Sequence, residues 1–161
     1  NVEEGTANMM KKLLLLLLTT SLLTACQAEP KMLSITGYNY TNRYIDGFSV
    51  DGQGGGNVLL SEDDAGGGGT VCCILLRPDQ ELPVKVRVEW MYGYEKDFDT
   101  GRLLKPAETH QADVTLEGPI PKHPTVFVVH FYPDNTVQVE VAVDYPKPRI
   151  QRTKPNKAES V

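Results

Sequence analysis

Val84-Lys85-Val86-Arg87-Val88-Glu89-Trp90 alternates without a break between apolar and charged side chains. Successive strand residues point to opposite faces of a sheet. The period of two therefore lays Val84, Val86, Val88 and Trp90 on one buried face and Lys85, Arg87 and Glu89 on a wet one. A helix would scatter the same residues around its circumference. The stretch predicts a strand of an antiparallel sheet that is packed on one side only.

Working outward, residues 91–108 have no clean period and read as a long excursion, broken by Gly101 and Pro106. Residues 110–116 alternate again and end at Gly118-Pro119-Ile120-Pro121. Residues 125–132 and 136–145 predict a hairpin turning at Pro133-Asp134-Asn135, with Val137, Val139, Val141 and Val143 on one face. On the N-terminal side, residues 70–76 are uniformly apolar and predict a central strand stopped by Pro78. The glycine-rich residues 51–57 and 61–69 read as flexible loops around Val58-Leu59-Leu60, and residues 33–40 and 45–50 read as two further strands. No run of ten or more residues carries a 3.6-residue period. About eight short strands punctuated by Gly and Pro predict an all-β fold, an antiparallel β-sandwich of immunoglobulin-like type over residues 32–145. A small closed β-barrel is the alternative.

Upstream, Met9-Met10-Lys11-Lys12 is followed by an apolar run from Leu13 to Leu18 and then by Leu23-Thr24-Ala25-Cys26. A basic stretch followed by an apolar one, too short for the roughly 20 residues that span a bilayer, has the order of a signal peptide. The last four residues resemble the lipobox of bacterial lipoproteins. That resemblance implies cleavage before Cys26, a diacylglycerol on its thiol, and a signal peptide over residues 9–25. Residues 1–8 carry two glutamates ahead of the basic stretch and read as an artefact of an upstream start, with Met9 or Met10 as the true one. Residues 26–31 then form a lipidated tether. Five residues reach at most about 18 Å, which holds the domain close to its membrane. Gln27 is not the aspartate that favours inner-membrane retention in enteric lipoproteins, so the resemblance points to a periplasm-facing lipoprotein, in the outer membrane rather than the inner.

Cleavage there leaves 136 residues, enough for one domain with a core. The net charge of −5 is unevenly placed: residues 146–161 carry +4 and residues 26–145 carry −9. An acidic body argues against nucleic acid, whose phosphates are met by Lys and Arg, and suits a basic protein partner. The Pro-rich, basic residues 146–161 predict a disordered tail.

The residues indicate no catalytic machinery and no cofactor. Gly47-Phe48-Ser49-Val50-Asp51 lacks the second glycine of a nucleophile elbow. Gly52-Gln53-Gly54-Gly55-Gly56 has Asn57 where a dinucleotide fingerprint needs glycine, with acids nearby. His110, His123 and His130 fall at no metal-ligand spacing and read as neutral imidazoles packed on strands. Adjacent Cα atoms lie about 3.8 Å apart, below the usual disulfide range, so Cys72 and Cys73 read as two thiols pointing to opposite faces, with a vicinal ring as the alternative. The candidate binding residues are the acids Glu62, Asp63, Asp64, Asp97 and Asp99, which would steer a basic partner, and Tyr92 and Tyr94, which would anchor it, although packing in the sandwich core or its rim is the first reading of these aromatics.

Residues 35–41 (Ile-Thr-Gly-Tyr-Asn-Tyr-Thr), the Gly-Gln-Gly-Gly-Gly-Asn string at 52–57, Gly68-Gly69-Thr70-Val71-Cys72-Cys73 and His130-Phe131-Tyr132-Pro133 together resemble a family of proteobacterial lipoproteins defined only as a domain of unknown function. The resemblance runs from about residue 35 to 145. The pattern departs near its end, where the family has a His-Pro pair by its final Tyr-Pro and this chain has Asp144-Tyr145-Pro146. Genes of the family often lie beside type VI secretion phospholipase effectors. The resemblance thus implies an immunity lipoprotein, not an enzyme, that is held to the membrane through Cys26 and inhibits a cognate secreted effector. A structural or chaperone-like envelope lipoprotein without a toxin partner is the alternative.

Overall fold

The computed structural model describes residues 29–62, 65–77 and 80–151. Ten strands follow in order: β1 (Lys31–Asn39), β2 (Ile45–Val50), β3 (Gln53–Val58), β4 (Val71–Leu76), β5 (Val84–Tyr92), β6 (Glu95–Lys96), β7 (Leu103–Lys105), β8 (Glu108–Leu116), β9 (Val126–Phe131) and β10 (Val137–Ala142). Eight of them form two four-stranded sheets, ordered β10-β9-β1-β4 and β3-β2-β5-β8, while β6 and β7 pair as a separate ribbon. The sheets are open, so the architecture is the sandwich and not the barrel. One pairing departs from the antiparallel rule: β1 runs parallel to β9, with Ser34 opposite Val126 and Asn39 opposite Phe131.

Between the sheets lies one core, with Leu33 and Ile35 from β1, Phe127, Val129 and Phe131 from β9, and Val86, Val88 and Trp90 from β5. Phe131 joins the layers, its ring centroid 5.3 Å from that of Phe48 and 5.6 Å from that of Trp90. In β5 the alternation holds in full, and it extends to Tyr92, which is also buried. Burying each such side chain contributes roughly 1.5–3 kcal/mol.

Three expectations are corrected. The central strands of the first sheet are β1 and β9, and the uniformly apolar β4 lies at its edge. The inner side chains of β4 close the flank of the sandwich, where Ile74 and Leu76 pack against the core, and its outward Leu75 is exposed. The described parts of the glycine-rich stretches include packed structure. Residues 53–58 are strand β3, and Gly67 and Gly68 bridge Tyr38 and Val58. A Cβ on Gly68 would sit 2.6 Å from the Gly37 carbonyl oxygen, and one on Gly55 would overlap the Phe48 ring. These glycines are the contact surfaces of close-packed backbone and ring. Finally, Cys72 and Cys73 are joined as a vicinal disulfide across a cis peptide bond, which brings both sulfurs together instead of sending them to opposite faces.

Candidate partner-binding pole

The end of the sandwich at Asn39, opposite the end where β1 begins at Lys31, gathers the irregular segments. Asn39 organises it. Its side-chain amide donates to the carbonyls of Arg43 (2.7 Å) and Val58 (3.2 Å), and its Oδ1 accepts from the backbone and hydroxyl of Thr41. Its backbone exchanges hydrogen bonds with Ser61, which fixes the turn carrying Glu62. Glu62 is exposed, and its main chain pairs with Ala65 on both sides. Asp63 and Asp64 lie outside the described residues.

From the same pole projects the β6–β7 ribbon. Asp97 shapes its tip: Oδ1 accepts from the Thr100 hydroxyl (2.7 Å), the Thr100 N–H (2.8 Å) and the Asp99 N–H (3.2 Å). Those bonds, from Thr100 above all, hold its carboxyl below the usual carboxylate range. Phe98 at the apex is fully exposed, and Tyr94, Leu103 and Leu104 are all more than half exposed. Four large apolar side chains on twelve residues are thus left open to solvent.

Arg43 braces the base of this arm. Its side chain is nearly buried, with Nη1 2.8 Å from Glu108 Oε1 and Nε 3.6 Å from Glu95 Oε1. Nη2 donates to the carbonyls of Gly93 (3.0 Å) and Pro106 (2.7 Å), the two ends of the arm. Its guanidinium lies 5.1 Å from the centroid of Tyr92. The Arg43 hydrogen bond is also the main reason the Glu108 carboxyl is held below its ordinary range. Sequence pattern placed Arg43 in a break between strands and assigned it no role.

The expected site residues therefore divide. Tyr94, Asp97 and Asp99 belong to the arm, and Glu62 to the neighbouring turn at the same pole. Tyr92 is a core residue, 4% exposed, with its hydroxyl donating to Asn135 Oδ1 at 3.0 Å. Its ring sits edge-on to His110. It cannot anchor a partner, because the period of β5 carries it inward. Asp97 is committed to its own turn, which leaves Glu62 and Asp99 as the described acids able to steer a partner. Among the described residues no three His, Cys, Asp or Glu side chains group as a metal site.

A second polar cluster lies on the outer face of the first sheet. His130 is fully buried there, with Nδ1 2.9 Å from the Tyr40 hydroxyl and Nε2 2.9 Å from Glu140 Oε1. The Arg149 N–H donates to the same Tyr40 oxygen (2.8 Å), so the phenol proton goes to Nδ1 and the imidazole is the neutral Nε2–H form. Burial pushes His130 down to about 4, against the upward pull of Glu140. Burial acts to raise Glu140, but the hydrogen bond from His130 and the charge of Arg149, 2.9 Å away, more than offset it and hold the carboxyl low. Residues 146–149, read from composition as the start of a disordered tail, are here a docked strap: the Tyr38 hydroxyl donates to the Pro146 carbonyl and Pro148 is buried. Residues 152–161 lie outside the described residues.

The family described as protein of unknown function (DUF3304) matches residues 38–139, well over half of the chain. The chain belongs to that family. The matched span opens at Tyr38 and closes at Val139, so it takes in the arm, the Glu62 turn and most of both sheets. No curated protein and no solved structure matches the chain.

Proposed function

We propose that the protein is a periplasm-facing lipoprotein, anchored through Cys26, that binds and inhibits a secreted effector, and that the arm and the Glu62 turn are its contact surface. The effector class, a type VI phospholipase, comes from the family resemblance alone. What supports the reading is one placement. A ribbon bearing exposed Tyr94, Phe98, Leu103 and Leu104 is braced by a nearly buried arginine at the pole away from Lys31, where the tether enters. The eight steps of β1 from Lys31 to Asn39 separate the two poles by about 26 Å, so a domain held at its N-terminus presents the arm away from its own membrane. Apolar anchors on a rigid ribbon lose little entropy on binding, and Glu62 and Asp99 beside them favour a basic rim on the partner.

The test is protection. Cells receiving in their periplasm the effector encoded by the neighbouring reading frame survive with the parent protein and lose protection with Phe98→Ala plus Leu104→Ala, at unchanged protein level. Metabolic labelling with a clickable fatty acid marks the parent and not Cys26→Ser. Survival equal to the parent's with the arm variant refutes the contact surface, and label retained in Cys26→Ser refutes the anchor.

A further inference from the structure

The strap lies on the outer face of the first sheet as a bound peptide lies on its receptor. Residues 145–148 run without turn or ladder partner over a floor of Tyr38, Tyr40 and His130, beside Tyr132, Gln138 and Glu140. The contacts are those that read an extended main chain and one cation. Tyr38 donates to the Pro146 carbonyl, and Tyr40 accepts the Arg149 N–H. The Arg149 guanidinium meets Glu140 Oε2 at 2.9 Å, Gln138 Oε1 at 2.6 Å and the Tyr132 hydroxyl at 3.3 Å. Pro148 is buried between these ends.

Two prolines hold φ near −65° and leave a segment with little conformational freedom to lose, which is why aromatic-lined grooves capture Pro-rich peptides. An acidic group at one end adds selection for Arg. The floor is furnished by strands that complete their hydrogen bonds in the sheet, so the groove does not depend on the strap for its construction. Beneath it, His130 holds Tyr40 and Glu140 in register through its two ring nitrogens.

We propose that this groove is a binding site for extended Pro-x-Pro-Arg segments of a partner protein, held closed in cis by residues 146–149. The cis occupant states the ligand's chemistry: two prolines two residues apart and an Arg immediately after the second. The net charge of −9 over residues 26–145 favours such a cationic segment. Joined to β10 at Ala142 by a few residues, the strap acts at an effective concentration on the order of millimolar, so a ligand gains access as the strap is weakened.

The probe is a fluorescent peptide with the sequence of residues 145–151, titrated by anisotropy into the lipid-free chain from Gln27 onward, which holds the whole described domain. The parent is compared with a strap-opened form carrying Pro148→Gly and Arg149→Ala. The opened form binds the peptide about tenfold or more tightly than the parent. Glu140→Gln in the opened form loses that gain, and a peptide with Ala in place of its Arg binds neither. An opened form that keeps the parent's near-UV circular dichroism and binds no peptide, equal binding by parent and opened form, or indifference to the peptide's Arg would each overturn the proposal. A dimer that forms as concentration rises and excludes peptide would overturn it in favour of strap exchange between copies. Should the opened form not fold, amide exchange in the parent decides: excess peptide accelerates exchange at the Arg149 N–H, and an unchanged rate refutes the site.

Discussion

Lowering the pH from 8 to 5 removes about 2 kcal/mol of stability through His130 alone. The group stands at about 4 in the folded protein, pushed there by burial, against an ordinary value of 6.5. A depressed folded value means that the unfolded chain binds the proton first. The contribution is thus fully present above pH 6.5 and is lost as pH falls toward 4. The slope reaches about 1.2 kcal/mol per pH unit near pH 5, and the whole loss is about 3.4 kcal/mol once both states are protonated. The carboxyls held low, Glu140 and Glu108 among them, follow the same sign but act chiefly below about pH 5, so the interval from 6.5 to 5 belongs mainly to the imidazole. Urea unfolding of the chain from Gln27 onward at half-unit pH steps reads the slope. His130→Gln, which keeps one donor and one acceptor but cannot titrate, flattens it. A second reading is the imidazole proton shift in magnetic resonance, with its midpoint near 4. A parent whose stability is constant from pH 7 to 5, or a His130 titrating near 6.5, refutes the buried neutral ring and the network drawn around it.

Gly68→Ala destabilises by about 1–3 kcal/mol, because its Cβ would meet the Gly37 backbone at 2.6 Å, while Gly54→Ala, with nothing within 4 Å, stays within about 0.5 kcal/mol in the same urea assay. Arg43→Ala costs about 2 kcal/mol through lost charge-assisted hydrogen bonds and raises amide exchange across residues 95–105, since both ends of the arm hang on that guanidinium. Phe98→Ala leaves unfolding within about 0.5 kcal/mol of the parent, as its exposure requires.

What pattern reading reached and missed follows from how side chains report burial. β5, β8 and β10 were legible because one face of each is wetter than the other, which writes a period of two into the residues, while β9, buried on both faces, showed only as an apolar run. The same period runs on to Tyr92, which is why core packing and not partner binding holds for it. β3 was illegible because glycine has no side chain with which to alternate. The run 71–76 looked central because uniform apolarity usually means burial on both faces, yet β4 is an edge whose outward Leu75 is left in water. The arm was visible only as a gap in periodicity, and Arg43, its brace, carries no local signal, because its partners lie about fifty to sixty-five residues away. The strap was misread for a related reason: prolines and a lysine suggest no core, but its main chain is hydrogen-bonded to the hydroxyls of two tyrosines that lie more than a hundred residues away.

The central claim is that the arm pole inhibits a secreted effector, and binding kinetics test it most directly. The lipid-free chain from Gln27 onward is flowed over the immobilised product of the reading frame beside its gene, the effector that the proposal requires. The parent binds, and Phe98→Ala and Tyr94→Ala raise the off-rate by an amount equal to roughly 2 kcal/mol or more each. Neutralising Glu62 and Asp99 chiefly slows association, and the effect shrinks as salt is added. Folded arm variants that bind with the parent's off-rate would contradict the arm as the contact, and a parent that does not bind at all would contradict the inhibitor reading itself.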